Sequence, residues 1–228
     1  MGKSIIARLR QEKAVAIAAD LYQDEVNDMH IHCDITDKAS IDNCIGTVLK
    51  QHGRIDSLVN CAYPRTSDWG AKFEQIDPES WRKNVDMQLN SVFVFCQSVI
   101  PYMVQNGSGS IVNISSIYGS VGPDFSVYEG LDMTMPAAYA VIKGGLNNFT
   151  NYLAALYGPE GIRVNTVSPG GIFDHQPESF VKKYEAKVPL RRMGAPEDIS
   201  PSVAFLLSED AKYITGHNLM VDGGWTAI

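Results

Sequence analysis

The chain has 228 residues, 45% of them hydrophobic and 20% charged, which suits one domain spanning 1–228 with a sizeable core. Its net charge of −7 argues against nucleic acid or an anionic membrane surface as a partner. No apolar run reaches the roughly 18 residues of a spanning helix, and the opening MGKSIIARLRQEK is too charged for a signal-peptide core.

In chain order, 3–12 reads as an amphipathic helix with Ile5, Ile6 and Leu9 on its apolar side. AVAIAAD (14–20) is a short apolar run ending in an acid, as a buried parallel strand would be, and MHIHCDIT (29–36) is a second strand. Residues 37–53 have helical periodicity and a glycine stop, and IDSLVNCAY (55–63) is a third strand. The stretch 78–107 is long and helical, with Pro78 near its start and Pro101 marking a kink or a new turn. GSIVNISS (109–116) is a buried strand ending in two serines. A helix (137–157), a strand (161–169), a helix (196–210) and a last strand (217–224) follow. Strands alternating with helices of crossover length predict an α/β, Rossmann-like, doubly wound parallel sheet. The longest irregular stretches, 67–77 and 119–135, are of a length that is usually functional. The four cysteines (Cys33, Cys44, Cys61, Cys96) have no CxxC spacing and read as buried thiols in a reducing cytoplasm. His30, His32 and Cys33 lie close together, but no further ligand cluster completes a site, so no metal is expected.

The segment AAYAVIKGGLNNFTNYLAALY carries Tyr139 and Lys143 four apart, hence on one helix face. A lysine ammonium near a phenol favours the phenolate, which equips the tyrosine to give or take a proton. A hydroxyl at the end of the 109–116 strand can hold a substrate oxygen beside it. A tyrosine and lysine at this spacing are also common as a half-buried ring beside a snorkelling lysine. The context is more specific: strand-Ser-Ser precedes the pair and RVNTVSPGGI (163–172) follows it.

With these motifs in this order, the chain resembles the short-chain dehydrogenase/reductase family from Gly2 to its C-terminus. The resemblance implies an NAD(H)-dependent oxidoreductase in which Tyr139 is the general acid/base, Ser116 holds the substrate oxygen, and Lys143 lowers the tyrosine pKa and binds the nicotinamide ribose. Ser115 is the bland neighbour, pointing the other way. For the cofactor it implies Gly2, Asp20, Asp34, Ile35, Asn60, Ala62, Tyr139, Lys143, Pro169, Gly170 and Ile172. A carboxylate at Asp20 accepts hydrogen bonds from both ribose hydroxyls and repels a 2′-phosphate, which indicates NAD over NADP; residues 21–28 add three acids and no arginine. A homodimer or homotetramer is also implied, with the VAFLLSED segment and the 81–104 helix as interface elements.

The sequence departs from the family pattern in four places. The family opens with a strand and TGxxxGxG, of which only Gly2 has a counterpart, so the first strand and most of the glycine-rich turn are missing. Either Met1 is internal to a longer protein, which its fit to the apolar slot before the glycine favours, or the short form is real and binds cofactor weakly or not at all. Without the central strand, the 14–19 and 55–61 strands each face a gap or must pair across it. Tyr63 replaces a glycine, so that either the backbone runs differently or the ring reaches the active site. Gln88 stands where the family has an asparagine that relays protons through water. Finally, the spacing from Ser116 to Tyr139 is long, and the inserted stretch GPDFSVYEGLDMTMP is expected to shape the substrate pocket.

NCAYPRTSDWG (60–70) and 123–145 resemble a subgroup associated with flagellin modification and nonulosonic-acid sugars. This suggests a phosphorylated or amino sugar as small-molecule substrate, with Tyr63, Arg65, Glu129 and Asp132 as candidate contacts. Two other functions stay open: a non-catalytic Rossmann-like scaffold, and a lyase or epimerase on the same fold.

Overall fold

The computed structural model describes residues 1–22, 29–131 and 133–228. Helices and strands alternate: α1 (Gly2–Gln11), β1 (Ala18–Asp20), β2 (His30–His32), α2 (Lys38–His52), β3 (Ser57–Asn60), α3 (Pro78–Val85), α4 (Ser91–Asn106), β4 (Gly109–Ile114), α5 (Ala137–Tyr157), β5 (Ile162–Pro169), α6 (Glu178–Lys187), α7 (Pro196–Leu207) and β6 (Asn218–Val221). Local chemistry sets several boundaries. The Asp37 carboxylate accepts from the Ala39 amide at the start of α2, and Gly53 ends that helix at φ 76°. At α3, Asp77 caps the Glu79 amide and Pro78 occupies the first turn.

All strand pairs are parallel, in two sheets: β1-β2 and β3-β4-β5-β6. Among the described residues no ladder joins β1 to β3, so the two strands expected to flank a gap do not pair across it. This explains why β1 is shorter than the apolar run 14–20. It has one partner, β2, and the Ala16 carbonyl is taken by the Arg10 guanidinium at 2.9 Å. The second and third strands are likewise trimmed to three and four residues, and β4 stops before the serines. The last expected helix ends at Leu207, followed by a separate 3₁₀ turn (Glu209–Ala211).

Side-chain alternation along β4 builds two cores. Ile111 faces one made by Ile41, Cys44, Phe95, Val99 and Leu146 of α2, α4 and α5. Val112 and Ile114 face Ile5, Ile199, Val203 and Leu206 of α1 and α7. Helices therefore cover both faces. The stretch 78–106 has the length and average hydropathy of a spanning helix, contrary to the expectation from apolar run length. Here it is a core helix, with Val92, Phe95, Val99 and Met103 buried. Helix α4 runs through Pro101; the irregularity falls instead at a π-helical turn (Asp86–Asn90) between α3 and α4. A third cluster joins Val127 and Tyr128 of the inserted stretch to Phe180 and Tyr184 of α6.

Candidate active site

The site forms where β4 ends against α5. The chain leaves the strand at Ile114, and Ser115, expected to point the other way, instead turns toward α5. The Ser115 hydroxyl donates to the Lys143 carbonyl at 3.0 Å, fixing α5 to the strand end. The Ser116 hydroxyl accepts from the Tyr118 amide at 3.2 Å and lies close enough to the Tyr139 phenol to favour its ionised form. Gly119 makes the close approach possible: a Cβ there would lie 2.7 Å from the Lys143 carbonyl carbon. One helical turn beyond Tyr139, the Lys143 ammonium is buried and donates to the Ile114 carbonyl at 2.8 Å. Its nitrogen lies 5.5 Å from the centroid of the Tyr139 ring.

Burial dominates the electrostatics. It pulls Lys143 down to about 8. It also holds the Tyr139 phenol above its ordinary value, opposed by the nearby Ser116 hydroxyl. The expectation that Lys143 depresses the tyrosine is therefore not met: desolvation outweighs the ammonium, which is directed at Ile114.

The ring of Tyr63 does reach the site. It meets the Tyr139 ring edge-on at 5.8 Å, and Trp69 meets both. The Trp69 indole N–H donates to the Tyr63 hydroxyl at 2.8 Å. Arg65 lies over the Tyr63 ring at 5.4 Å and Lys143 at 5.8 Å. Burial raises the Tyr63 phenol to about 12, so it stays protonated at neutral pH. The sequence reading missed Trp69; its only signal was an aromatic in a long loop.

The expected cofactor residues divide into two groups. Asn60 sits at the end of β3, donating to Asn113 Oδ1 at 2.8 Å, and Ala62 is exposed beside it. Asp20 ends β1, exposed, with its carboxylate accepting from the Tyr22 amide. The Asp34 carboxylate is engaged by the Thr36 amide and hydroxyl, which lower its pKa, and Ile35 packs at the edge of the large core. The Gly2 amide opens α1 and points at the Cys61 thiol. A Cβ on Gly2 would meet nothing within 4 Å, so the approach to this helix end is open. Pro169 ends β5; Gly170 and Gly171 are pressed against Asp222 and Tyr184, where a Cβ would come within 2.9 and 2.7 Å. The glycines there are required by the protein's own packing, and Ile172 bridges to Gly194. These residues fit a nicotinamide dinucleotide around Tyr139 and Lys143, with the Gly2 end of α1 on the side expected for the phosphates.

Gln88 lies on the π-helical turn, buried, and neither polar atom of its side chain has a hydrogen-bond partner among the described residues. The inserted stretch presents Tyr128 rather than Glu129. Tyr128 is buried, which raises its phenol, with the Tyr139 phenol adding to the rise and the neighbouring Tyr118 hydroxyl opposing it. Glu129 is exposed, and its carbonyl is held by the Lys183 ammonium at 2.6 Å. A Lys187–Asp124 ion pair also ties the insertion to α6. Asp132 and the acids at 24, 25 and 28 lie outside the described residues.

A parallel α/β sheet with Ser116, Tyr139 and Lys143 gathered at a strand end defines a class of dehydrogenases and reductases. Over residues 2–226 the chain matches a family model described as enoyl-(acyl carrier protein) reductase. The chain belongs to the short-chain dehydrogenase/reductase family, of classical type. It is 32% identical to post-translational flagellin modification protein A of Campylobacter coli, covering 99% of this chain and 93% of that protein. It is 31% identical to a 7alpha-hydroxysteroid dehydrogenase of Bacteroides fragilis, covering 99% and 85%. Among solved structures, a short-chain dehydrogenase of Leptospira borgpetersenii with bound NAD+ superposes with a TM-score of 0.89 at 35% identity, covering 99% and 88%. The chain is thus an oxidoreductase of the CH–OH class, on a fold that binds a nicotinamide cofactor.

Proposed function

We propose that the chain interconverts a secondary alcohol and a ketone, with NAD(H) preferred over NADP(H), on a sugar or sugar-derived substrate. The observation that carries this reading is the convergence at the end of β4 of the Ser116 hydroxyl and the buried Tyr139 phenol, with Lys143 buried one turn away. Ser116 holds the substrate oxygen. Tyr139 delivers a proton to that oxygen in reduction and removes it in oxidation, which its protonated state at neutral pH suits best in the reductive direction. Lys143, held by the Ile114 carbonyl, keeps positive charge beside the oxygen where negative charge develops. A bound nicotinamide dinucleotide supplies the hydride acceptor or donor. Lys143, Asn60, Ala62, Pro169, Gly170 and Ile172 would hold its nicotinamide half, and Gly2, Asp20, Asp34 and Ile35 its adenosine half. Asp20 supports NAD because a carboxylate there repels a 2′-phosphate. Gln88 passes the proton onward through water.

The sugar class rests on the resemblance of 60–70 and 123–145 to the flagellin-modification and sugar-pathway subgroup, and the polar, aromatic surroundings of Tyr139 suit it. The chain acts as one domain in the cytoplasm and as a homodimer or homotetramer. The exposed Phe93 and Tyr102 of α4, Val141, Tyr152 and Leu156 of α5, and Phe205 of α7 supply apolar surface for subunit contact. A second reading, a non-catalytic scaffold, is favoured by the lack, among the described residues, of a ladder joining β1 to β3. NADH oxidation with keto-sugars, in the wild type and in Tyr139→Phe, tests between them. Turnover abolished by the variant supports the enzyme, and no turnover with any ketone supports the scaffold.

A further inference from the structure

We infer that Arg65, Tyr63 and Trp69 form a preorganised wall that selects substrates bearing a carboxylate or phosphate. This rests on the oxidoreductase reading and narrows its substrate class to anionic sugars.

Arg65 is exposed beside the catalytic phenol in a chain of net charge −7, yet among the described residues no carboxylate lies within ion-pair distance of it. Seven other cations are paired, including the Arg192 guanidinium, which binds both oxygens of Asp198. Arg65 instead lies over the Tyr63 ring, which Lys143 shares from 5.8 Å. Two cations around one ring next to Tyr139 make a locally positive face, and a guanidinium free of carboxylates among the described residues presents its fork to an anion.

The wall is held in place by its own polar contacts. Trp69 fixes the Tyr63 hydroxyl through its indole N–H. The loop between them is pinned to α3 by Asn84, which is 3% exposed: it accepts from the Thr66 amide at 3.2 Å and donates to the Thr66 hydroxyl at 2.7 Å. The Ser80 hydroxyl closes the loop by donating to Asp68 at 2.6 Å. A loop fixed this way loses little entropy on binding, which favours selection over adaptation. Arg65 is a specificity-determining residue for the substrate anion. Trp69 is a positioning residue that acts through Tyr63.

Calorimetric titrations of the full chain with glucose, glucuronate and glucose 6-phosphate test this, with NADH titrated in parallel. Both anions are expected to bind at least about tenfold more tightly than glucose. Arg65→Ala should erase that difference while leaving the affinity for NADH unchanged. Trp69→Phe and Tyr63→Phe each remove the same hydrogen bond, so each should weaken glucuronate binding and the double variant no more than either alone. Equal affinity for the three sugars, or full discrimination in Arg65→Ala, overturns the inference. So does a parallel loss of NADH affinity in that variant, which would assign the cation to the cofactor. NADH binding without anion discrimination sinks this inference and leaves the oxidoreductase reading standing. Anion discrimination without NADH binding upholds the wall and sinks that reading.

Discussion

Replacing Lys143 by methionine should kill the chemistry and, at neutral pH, relieve the fold. Burial pulls the Lys143 ammonium from its ordinary 10.5 to about 8. A base with a depressed native pKa destabilises the fold wherever the unfolded chain takes up a proton that the native state resists. The penalty is absent well above 10.5, builds as pH falls through that value, and is complete below about 8. Those two values give roughly 3 kcal/mol at pH 7 and about 1 kcal/mol at pH 10. Lys143→Met removes the penalty. It also bares the Ile114 carbonyl, at a pH-independent cost of about 1–3 kcal/mol. Whatever its absolute stability, the variant must gain about 2–3 kcal/mol on the wild type between pH 10 and pH 7. Urea unfolding of both proteins at the two pH values reads this directly, because groups common to both cancel. A stability difference constant with pH would refute the claim that the ammonium is held at a cost beside Tyr139.

Four other substitutions probe separate parts of the structure. Tyr139→Phe should lower kcat by about 10²–10⁴-fold with NADH affinity retained, checked by steady-state kinetics and fluorescence titration. Gln88→Met removes a buried amide with no partner among the described residues, so chemical unfolding should show a gain of about 1–2 kcal/mol even as turnover falls. Arg163→Ala should cost about 2–3 kcal/mol, since its guanidinium donates to the Leu206, Leu207 and Ser208 carbonyls that end α7. Gly171→Ala should cost about 1–3 kcal/mol in a thermal melt, because the added Cβ would meet the Tyr184 ring at 2.7 Å.

What the sequence made legible was local. Helix α5 spans the expected 137–157, since an apolar stripe free of proline runs between Pro136 and Gly158. Helical spacing places Tyr139 beside Lys143, with Ser116 close to the phenol, whereas Ser115, expected to point away, donates to the Lys143 carbonyl. What it did not reveal was set by contacts distant in sequence. Helix α6 is short and polar, and its buried Phe180 and Tyr184 have partners only once the inserted stretch and Trp225 fold over them. Strand β1 falls short of its apolar run because ladders require partners, and among the described residues it has one, β2. Trp69 enters the site through a loop shaped by Asn84, and Tyr128 replaces Glu129 as the insertion's contact through a 3₁₀ turn (Phe125–Tyr128) that spacing does not predict. The sign of the Tyr139 shift went the other way because desolvation depends on how deep the phenol lies, which sequence proximity to a lysine does not report.

The central claim is that this chain assembles a working nicotinamide site around Tyr139 and Lys143. Titration of NADH into the purified 228-residue chain, followed by nicotinamide fluorescence with NADPH alongside, tests it most directly. The account predicts saturable NADH binding, with NADPH weaker by about tenfold or more because of Asp20. Saturable binding of neither dinucleotide would contradict it.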